Sequence, residues 1–307
     1  MEGAGYQDVW TQSADGLRLH ARLYGERGGA QLPVVCLPGL ARSAIDFHAL
    51  AASLAGAGRT VLAVDYRGRG LSDRDPDPAN YTVQVETADL LGLLAELEIT
   101  EAAVVGTSRG GLIAMGLAAL KPGLVRGLVL NDIGPVIELS GLMRIKSYVG
   151  RLPGPRDMQE GAAILRSDFE PQFPELGDEA WLAWAKATWD ERDGILVLGY
   201  DPALARTLDA LDPGTPIPDL WSLFDMLAEI PILAIRGAHS DLLSVETLAA
   251  MAERHPNLDS ITVAGQGHAP LLQSPDLLRR IGDFVEMADA LSRRSPTPPP
   301  GVPGGPS

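Results

Sequence analysis

The stretch from Val104 to Gly111 constrains this chain most, because an apolar run leads into a glycine-flanked serine and then into a helix-like run. Its centre, Gly106-Thr107-Ser108-Arg109-Gly110, matches the pattern G-x-S-x-G. In that pattern the serine lies at a strained turn between a strand and a helix, where glycines leave space for the backbone. The chain has 34 glycines, so this pattern can arise by chance. It indicates an active site only if suitable partner residues accompany it.

Two polar side chains that could serve as such partners follow predicted strands downstream. The run 231–237 is typical of a buried strand, and Asp241 lies in the loop after it. A second strand-like run, 261–264, is followed by His268. Because ligands bind beyond the carboxyl ends of parallel strands, the sequence predicts that Ser108, Asp241 and His268 meet at one edge of a sheet.

Alternating strand-like and helix-like segments predict an α/β fold with a mostly parallel central sheet flanked by helices. The pattern breaks in residues 134–228, where prolines and glycines separate short helical pieces and four of the five tryptophans occur. We therefore predict a core formed by residues 1–133 and 229–292 and a helical cap formed by 134–228. The proline-rich residues 293–307 are predicted to be a disordered tail.

Several phrases of the sequence resemble the α/β-hydrolase superfamily, and the resemblance covers roughly residues 5–292. They are Leu37-Pro38-Gly39-Leu40, Asp65-Tyr66-Arg67-Gly68-Arg69-Gly70-Leu71-Ser72, Gly106 to Gly111, Leu130-Asn131-Asp132-Ile133-Gly134-Pro135, Gly237-Ala238-His239-Ser240-Asp241 and Gly265-Gln266-Gly267-His268. The chain is most similar to bacterial serine carboxylesterases and lactonases with a helical cap. It departs from many members in having Pro38-Gly39 where they have His-Gly.

The resemblance implies a catalytic triad in the superfamily's chain order, with Ser108 as nucleophile, Asp241 as orienting acid and His268 as general base. It also implies that the backbone N–H groups of Leu40 and Arg109 form the oxyanion hole. Asp241 is preferred because its loop is similar to the acid loop of the superfamily. Asp132 follows an earlier predicted strand and stays an alternative, since some hydrolases take their acid from that loop.

Other residues receive structural interpretations. The Arg109 side chain is expected to pair with an acid near the start of a helix, and the Arg67 to Gly70 sequence is expected to form a turn network. Trp181 and Trp184, spaced like one helix face, are interpreted as packing the cap onto the core, with an aromatic acyl pocket as the alternative.

Composition excludes several classes of partner. A formal charge of −15 and a pI near 4.7 argue against binding to nucleic acid or to an anionic membrane surface. No apolar run approaches the roughly 20 residues of a membrane helix, and Cys36 is the only cysteine, so a reduced, cytoplasmic location is expected. The sequence predicts no cofactor and no metal site, and it does not indicate an oligomeric state.

The predicted activity is hydrolysis of a small-molecule carboxylic ester through an acyl-enzyme intermediate on Ser108. Two alternatives stay open: a lactonase or carbon–carbon bond hydrolase, and a ligand sensor that keeps the fold without turnover.

Overall fold

The computed structural model describes residues 5–214 and 216–294. The strands are β1 Tyr6–Gln12, β2 Arg18–Tyr24, β3 Val34–Leu37, β4 Val61–Asp65, β5 Ala102–Thr107, β6 Val125–Asn131, β7 Trp189–Arg192, β8 Ile195–Leu198, β9 Ile232–Gly237 and β10 Leu258–Val263. The α-helices are α1 His48–Gly56, α2 Val83–Glu96, α3 Arg109–Leu120, α4 Leu139–Tyr148, α5 Met158–Phe169, α6 Asp178–Lys186, α7 Trp221–Asp225, α8 Val245–Arg254 and α9 Pro275–Arg294. Short 3₁₀ helices are formed by Ala44–Phe47, Pro78–Asn80 and Pro202–Leu208.

Eight strands form one sheet in the order β1-β2-β4-β3-β5-β6-β9-β10. The two N-terminal strands are antiparallel to their neighbours, and β4, β3, β5, β6, β9 and β10 run parallel. This confirms the predicted α/β fold with a mostly parallel sheet flanked by helices. Parallel alignment brings the carboxyl ends of β3, β5, β6, β9 and β10 to one edge, which is where the residues singled out in the sequence lie.

Both faces of the sheet are buried, which explains why the central strands are apolar at nearly every position. On one face, Cys36 and Val105 belong to a core that includes Leu50 of α1 and Val285 of α9. On the other face, Val104 belongs to a second core shared with α2, α3 and the residues inserted after β6. The alternation of side chains along each strand assigns successive residues to these two cores.

Residues 134–228, between β6 and β9, are called the cap segment below. They contain α4, α5, α6 and α7, as predicted, but also an antiparallel hairpin of β7 and β8 that the prediction of a helical cap missed. The hairpin turns at Asp193 and Gly194, both with positive φ (52° and 76°). An Asp-Gly pair between strands is a strong hairpin signal, so the sequence did contain it. The division into core and cap stays a prediction.

The tail predicted at residues 293–307 lies outside the described residues, apart from Arg293 and Arg294 at the end of α9. No helix among the residues that the structure describes is long and apolar enough to cross a membrane.

Candidate active site

Ser108 occupies a sharp turn between the end of β5 at Thr107 and the start of α3 at Arg109. Its backbone has φ 51° and ψ −116°, a conformation that costs about 1–3 kcal/mol for a residue with a side chain. Two positions close to it, 106 and 110, require glycine. A methyl group on Gly106 would lie 2.6 Å from the carbonyl oxygen of Gly110, and one on Gly110 would collide with the carbonyl of Leu37. The motif therefore folds as the sequence predicts, with the serine at the carboxyl edge of the sheet.

His268 lies in the loop after β10 and contacts Ser108. Its Nε2 is 2.9 Å from the Ser108 hydroxyl oxygen, and its Nδ1 is 2.8 Å from Oδ2 of Asp132. The His268 side chain is 6% exposed and the Asp132 side chain is fully buried. With the proton on Nδ1, the imidazole donates to Asp132 and its Nε2 accepts from the Ser108 hydroxyl. The three side chains form a continuous hydrogen-bonded chain.

Asp241 does not take part in this chain, so the predicted contact between Asp241 and His268 is wrong. The Asp241 carboxylate accepts hydrogen bonds from Nε and Nη2 of Arg144, on α4, at 2.6 and 2.9 Å. The reason lies in the two loops. Asp132 is the first residue after β6, whereas Asp241 follows the end of β9 at Gly237 by four positions and reaches the cap segment instead. Asp132 was the sequence's alternative.

Asp132 is held by donors from the loop that the sequence favoured. The backbone N–H of Gly237 donates to Oδ1 at 2.8 Å, and the Ser240 hydroxyl donates to Oδ2 at 2.6 Å. With His268 the carboxylate therefore accepts three hydrogen bonds, which an ionised carboxylate can do without leaving a buried charge unpaired. The Asp132 backbone has φ 57°, an uncommon conformation that aspartate tolerates better than most residues.

The environment of Asp241 favours its charged form. Burial raises the pKa of this carboxyl, but the hydrogen bonds and charge of Arg144 outweigh burial, and the pKa lies below the ordinary 3.8. The Gln172 side chain acts in the same direction. Asp241 is thus a charged link between the core and the cap segment at neutral pH.

Leu40 and Arg109, whose amides are predicted to form the oxyanion hole, lie on segments that pack against each other. Arg109 directly follows Ser108, and a methyl group on Gly39, next to Leu40, would lie 3.8 Å from Cβ of Ser108. Among the described residues, neither the Leu40 nor the Arg109 backbone N–H has a hydrogen-bond partner. Two such amides close to a nucleophile can bind an oxygen that develops negative charge. Their role stays a prediction.

A cavity of about 650 Å³ opens in front of the serine. Leu40, Ser108 and His268 line it, together with aromatic residues of the cap segment. These aromatic residues are Tyr148, Phe169, Trp184 and Tyr200. Trp181 is 2% exposed and stacks on Trp184 with ring centroids 5.4 Å apart. Of the two interpretations of this pair, packing therefore fits Trp181, while Trp184 also faces the cavity.

The described residues offer few other places for a reaction away from Ser108. A second cavity of about 680 Å³, between the 68–74 turn and the β7–β8 hairpin, contains none of the predicted site residues. Burial raises the pKa of the Cys36 thiol far above its usual range, which disfavours the reactive thiolate. Within residues 5–214 and 216–294, no three potential metal ligands cluster.

Fold and sequence together define the class of this protein. The profile of the alpha/beta hydrolase family matches residues 34–281, and the chain belongs to that family. It is 38% identical over 268 residues to a 3-hydroxybutyrate-oligomer hydrolase of Cupriavidus necator, covering 84% of this chain and 90% of the relative. It is 28% identical to an esterase of Mycobacterium tuberculosis over 83% of this chain and 82% of that protein.

Solved structures agree with this assignment. The crystal structure of an alpha/beta hydrolase from Novosphingobium aromaticivorans superposes with a TM-score of 0.86 at 40% identity, covering 92% of this chain and 99% of that one. The relatives are named hydrolases and esterases, which supports an enzyme of the hydrolase class.

Proposed function

We propose that this protein is a serine hydrolase that cleaves carboxylic esters, with Ser108 as nucleophile, His268 as general base and Asp132 as orienting acid. One observation carries the proposal: the chain of hydrogen bonds from the Ser108 hydroxyl through the His268 imidazole to the buried Asp132, at 2.9 and 2.8 Å, opens onto a largely apolar cavity. A buried carboxylate on Nδ1 fixes the tautomer in which Nε2 can remove a proton.

In the first half of the reaction, Nε2 of His268 takes the Ser108 proton as the serine oxygen attacks the ester carbonyl. The carbonyl oxygen becomes negative, and the amides of Leu40 and Arg109 donate to it. Collapse of the tetrahedral intermediate breaks the bond to the alcohol, which leaves with the proton from the imidazolium. Water then attacks the acyl-enzyme by the same steps, and the carboxylic acid is released.

The proposed substrates are esters of short hydroxy acids. The support is the named activity of the Cupriavidus relative, together with the fact that its sequence aligns with 84% of this chain. The cavity offers aliphatic and aromatic side chains for a short acyl chain, as most small-molecule sites do. A lactone is a cyclic ester and is open to the same attack. Among the described residues, no contact favours carbon–carbon bond cleavage. The cytoplasmic location stays a prediction.

The test compares wild type with Ser108→Ala on p-nitrophenyl esters of increasing chain length and on 3-hydroxybutyrate dimer and trimer. Loss of the nucleophile is expected to lower kcat roughly 10⁶-fold, since removing a triad serine elsewhere has an effect of that order. The matched control is Ser53→Ala, an exposed serine on α1, which should retain wild-type rates. Equal rates for wild type and Ser108→Ala would reject the proposal.

A fluorophosphonate probe separates an enzyme from a ligand sensor. Labelling that Ser108→Ala abolishes, together with ester turnover, supports the proposal. Labelling of the wild type without turnover of any ester or lactone would favour the sensor, and a preference for a carbon–carbon bond substrate over every ester would favour that alternative.

A further inference from the structure

We infer that Glu86 is a positioning residue that holds Leu40 and Arg109, the two proposed oxyanion donors, in fixed relation to each other; this inference rests on the proposed function. Glu86 lies in the first turn of α2 and is fully buried. Each of its two carboxylate oxygens accepts a hydrogen bond from a different arginine, and each arginine is joined to one of the two donors.

The first connection runs through Arg69. Its Nη1 donates to Oε1 of Glu86 at 2.7 Å, and its Nε donates to the backbone carbonyl of Leu40 at 2.8 Å. The carbonyl and the N–H of Leu40 belong to adjacent peptide groups joined at one α-carbon, so holding the carbonyl limits how far the N–H can move. Arg69 is itself fully buried between the rings of Tyr66 and Tyr81, each centred 5.6 Å from its Cζ.

The second connection is Arg109 itself, which supplies the other amide. Its Nε donates to Oε2 of Glu86 at 2.6 Å, and its Nη2 donates to the carbonyl of Tyr81 at 3.0 Å. The side chain of the residue that follows the nucleophile is thereby fixed to α2. This agrees with the expectation from sequence that Arg109 pairs with an acid near the start of a helix.

The arrangement suits a rigid support because both carboxylate oxygens of Glu86 are paired with guanidinium groups. Glu86 and Arg69 are fully buried, and removing one partner of a buried ion pair leaves a charge that is costly to keep away from water. The cluster of Glu86, Arg69 and Arg109 has one positive charge in excess. That net positive charge is carried by groups bonded to the Leu40 carbonyl and attached to residue 109, and it favours the negative oxygen that the two amides would bind.

A purely structural role would make Glu86 equivalent to any other buried ion-pair partner. Asp289 on α9 provides that comparison, because it accepts from Arg59 at 2.6 Å, and the pair is almost as buried, with side chains 3% and 8% exposed. Its other bond, from the backbone N–H of Leu32, also lies away from the serine. Asp289→Asn should therefore weaken folding without changing the chemistry.

The experiment measures Glu86→Gln, Arg109→Gln and Asp289→Asn in the full chain. We expect Glu86→Gln to lower kcat about 10–100-fold, less than the 10²–10³-fold of losing one donor outright, with KM within about threefold. Arg109→Gln breaks one connection only and should have a smaller effect of the same kind. Its side chain is 13% exposed, so this variant serves if Glu86→Gln does not fold.

A trifluoromethyl ketone distinguishes positioning from a general loss of structure. Ser108 adds to its carbonyl carbon, the proton passes to His268, and the resulting oxyanion needs both amides. Glu86→Gln should weaken this inhibitor by about the factor lost from kcat, while the affinity for the alcohol product, which carries no negative oxygen, stays unchanged. Unchanged kcat and inhibitor affinity in folded Glu86→Gln and Arg109→Gln would overturn the inference, as would an equal loss in Asp289→Asn.

Amide hydrogen exchange tests whether Glu86 holds the segments of Leu40 and Arg109 in place, even if no ester is turned over. Peptides covering 38–43 and 108–112 should exchange faster in Glu86→Gln than in Asp289→Asn at equal global stability. If wild type is inactive but shows this exchange pattern, the proposed function is rejected and the positioning role of Glu86 is kept. If wild type is active but the pattern is absent, only the positioning role of Glu86 is rejected.

Discussion

The loops after β6 and β9 both present an aspartate at the same edge of the sheet, and their environments differ sharply. Asp132 is fully buried and accepts from His268, the Gly237 amide and the Ser240 hydroxyl. Asp241 is 27% exposed at its side chain and pairs with Arg144 of the cap segment. The comparison shows that the sequence of the loop after β9 did not identify the carboxylate that contacts His268. The carboxylate in that contact is the one that the Gly237 amide and the Ser240 hydroxyl hold in place.

Among variants of these two loops, the largest expected effect separates the two aspartates directly. Asp132→Asn should lower kcat by about 10⁴-fold, because an amide on Nδ1 stabilises the wrong imidazole tautomer. Asp241→Asn should lower kcat less than tenfold, since it leaves the contacts of His268 with Ser108 and Asp132 in place. Ester hydrolysis near neutral pH measures both. The reverse ranking would restore Asp241 as the orienting acid.

A smaller effect is expected at Ser240, which links the two loops. Ser240→Ala removes one donor to Asp132 Oδ2, and a hydrogen bond to a charged group contributes about 1.5–3 kcal/mol to stability. Part of that contribution orients the imidazole, so we expect kcat to fall about tenfold.

The matched control for this variant is Ser244→Ala in the same loop. Ser244 caps α8 by accepting from the Thr247 amide, so its loss should cost about 1 kcal/mol of stability and leave kcat unchanged. Equal kcat in the two serine variants would show that Ser240 does not support the acid.

The smallest effect concerns the stability that Asp241 gives. Its pKa is lowered in the folded state, so the ion pair with Arg144 contributes fully above the unfolded value of 3.8 and is lost as pH falls through the lower folded value. Wild type should exceed Asp241→Asn in free energy of unfolding by about 1 kcal/mol at pH 7, since the pair is partly exposed. Urea titrations from pH 7 to 3 measure the difference, and a gap that widens toward acid would contradict the assignment.

The sequence predicted the fold because its apolar runs follow the burial of the central strands. Ser108 could be located because only glycine fits at Gly106 and Gly110, and this requirement is visible as a motif. The orienting acid could not be settled, because Asp132 and Asp241 follow neighbouring strands and differ only in donors brought by the fold. One signal was available: Asp132 directly follows its strand, whereas Asp241 comes four residues after β9.

Glu86 had no comparable signal. It is one of 40 acidic residues, and its meaning depends on Arg69 and Arg109, which lie 17 and 23 positions away on other segments. The β7–β8 hairpin did have a sequence signal, the Asp-Gly pair at Asp193, but the prediction of a helical insertion did not use it.

The cap segment is fastened to the core on one side by backbone atoms. Gly70 donates to the Gly199 carbonyl at 2.9 Å, Asp201 donates to the Gly68 carbonyl at 2.7 Å, and Arg69 and Tyr200 form an isolated β-bridge. Moving the whole insertion aside would break these bonds, and it would also break the bond from the Glu138 N–H to the Leu242 carbonyl at 2.9 Å, next to Asp241. Because backbone bonds hold the insertion near both Gly199 and Glu138, ligand entry and product exit are expected to depend on side chains around the cavity, with the insertion itself staying in place.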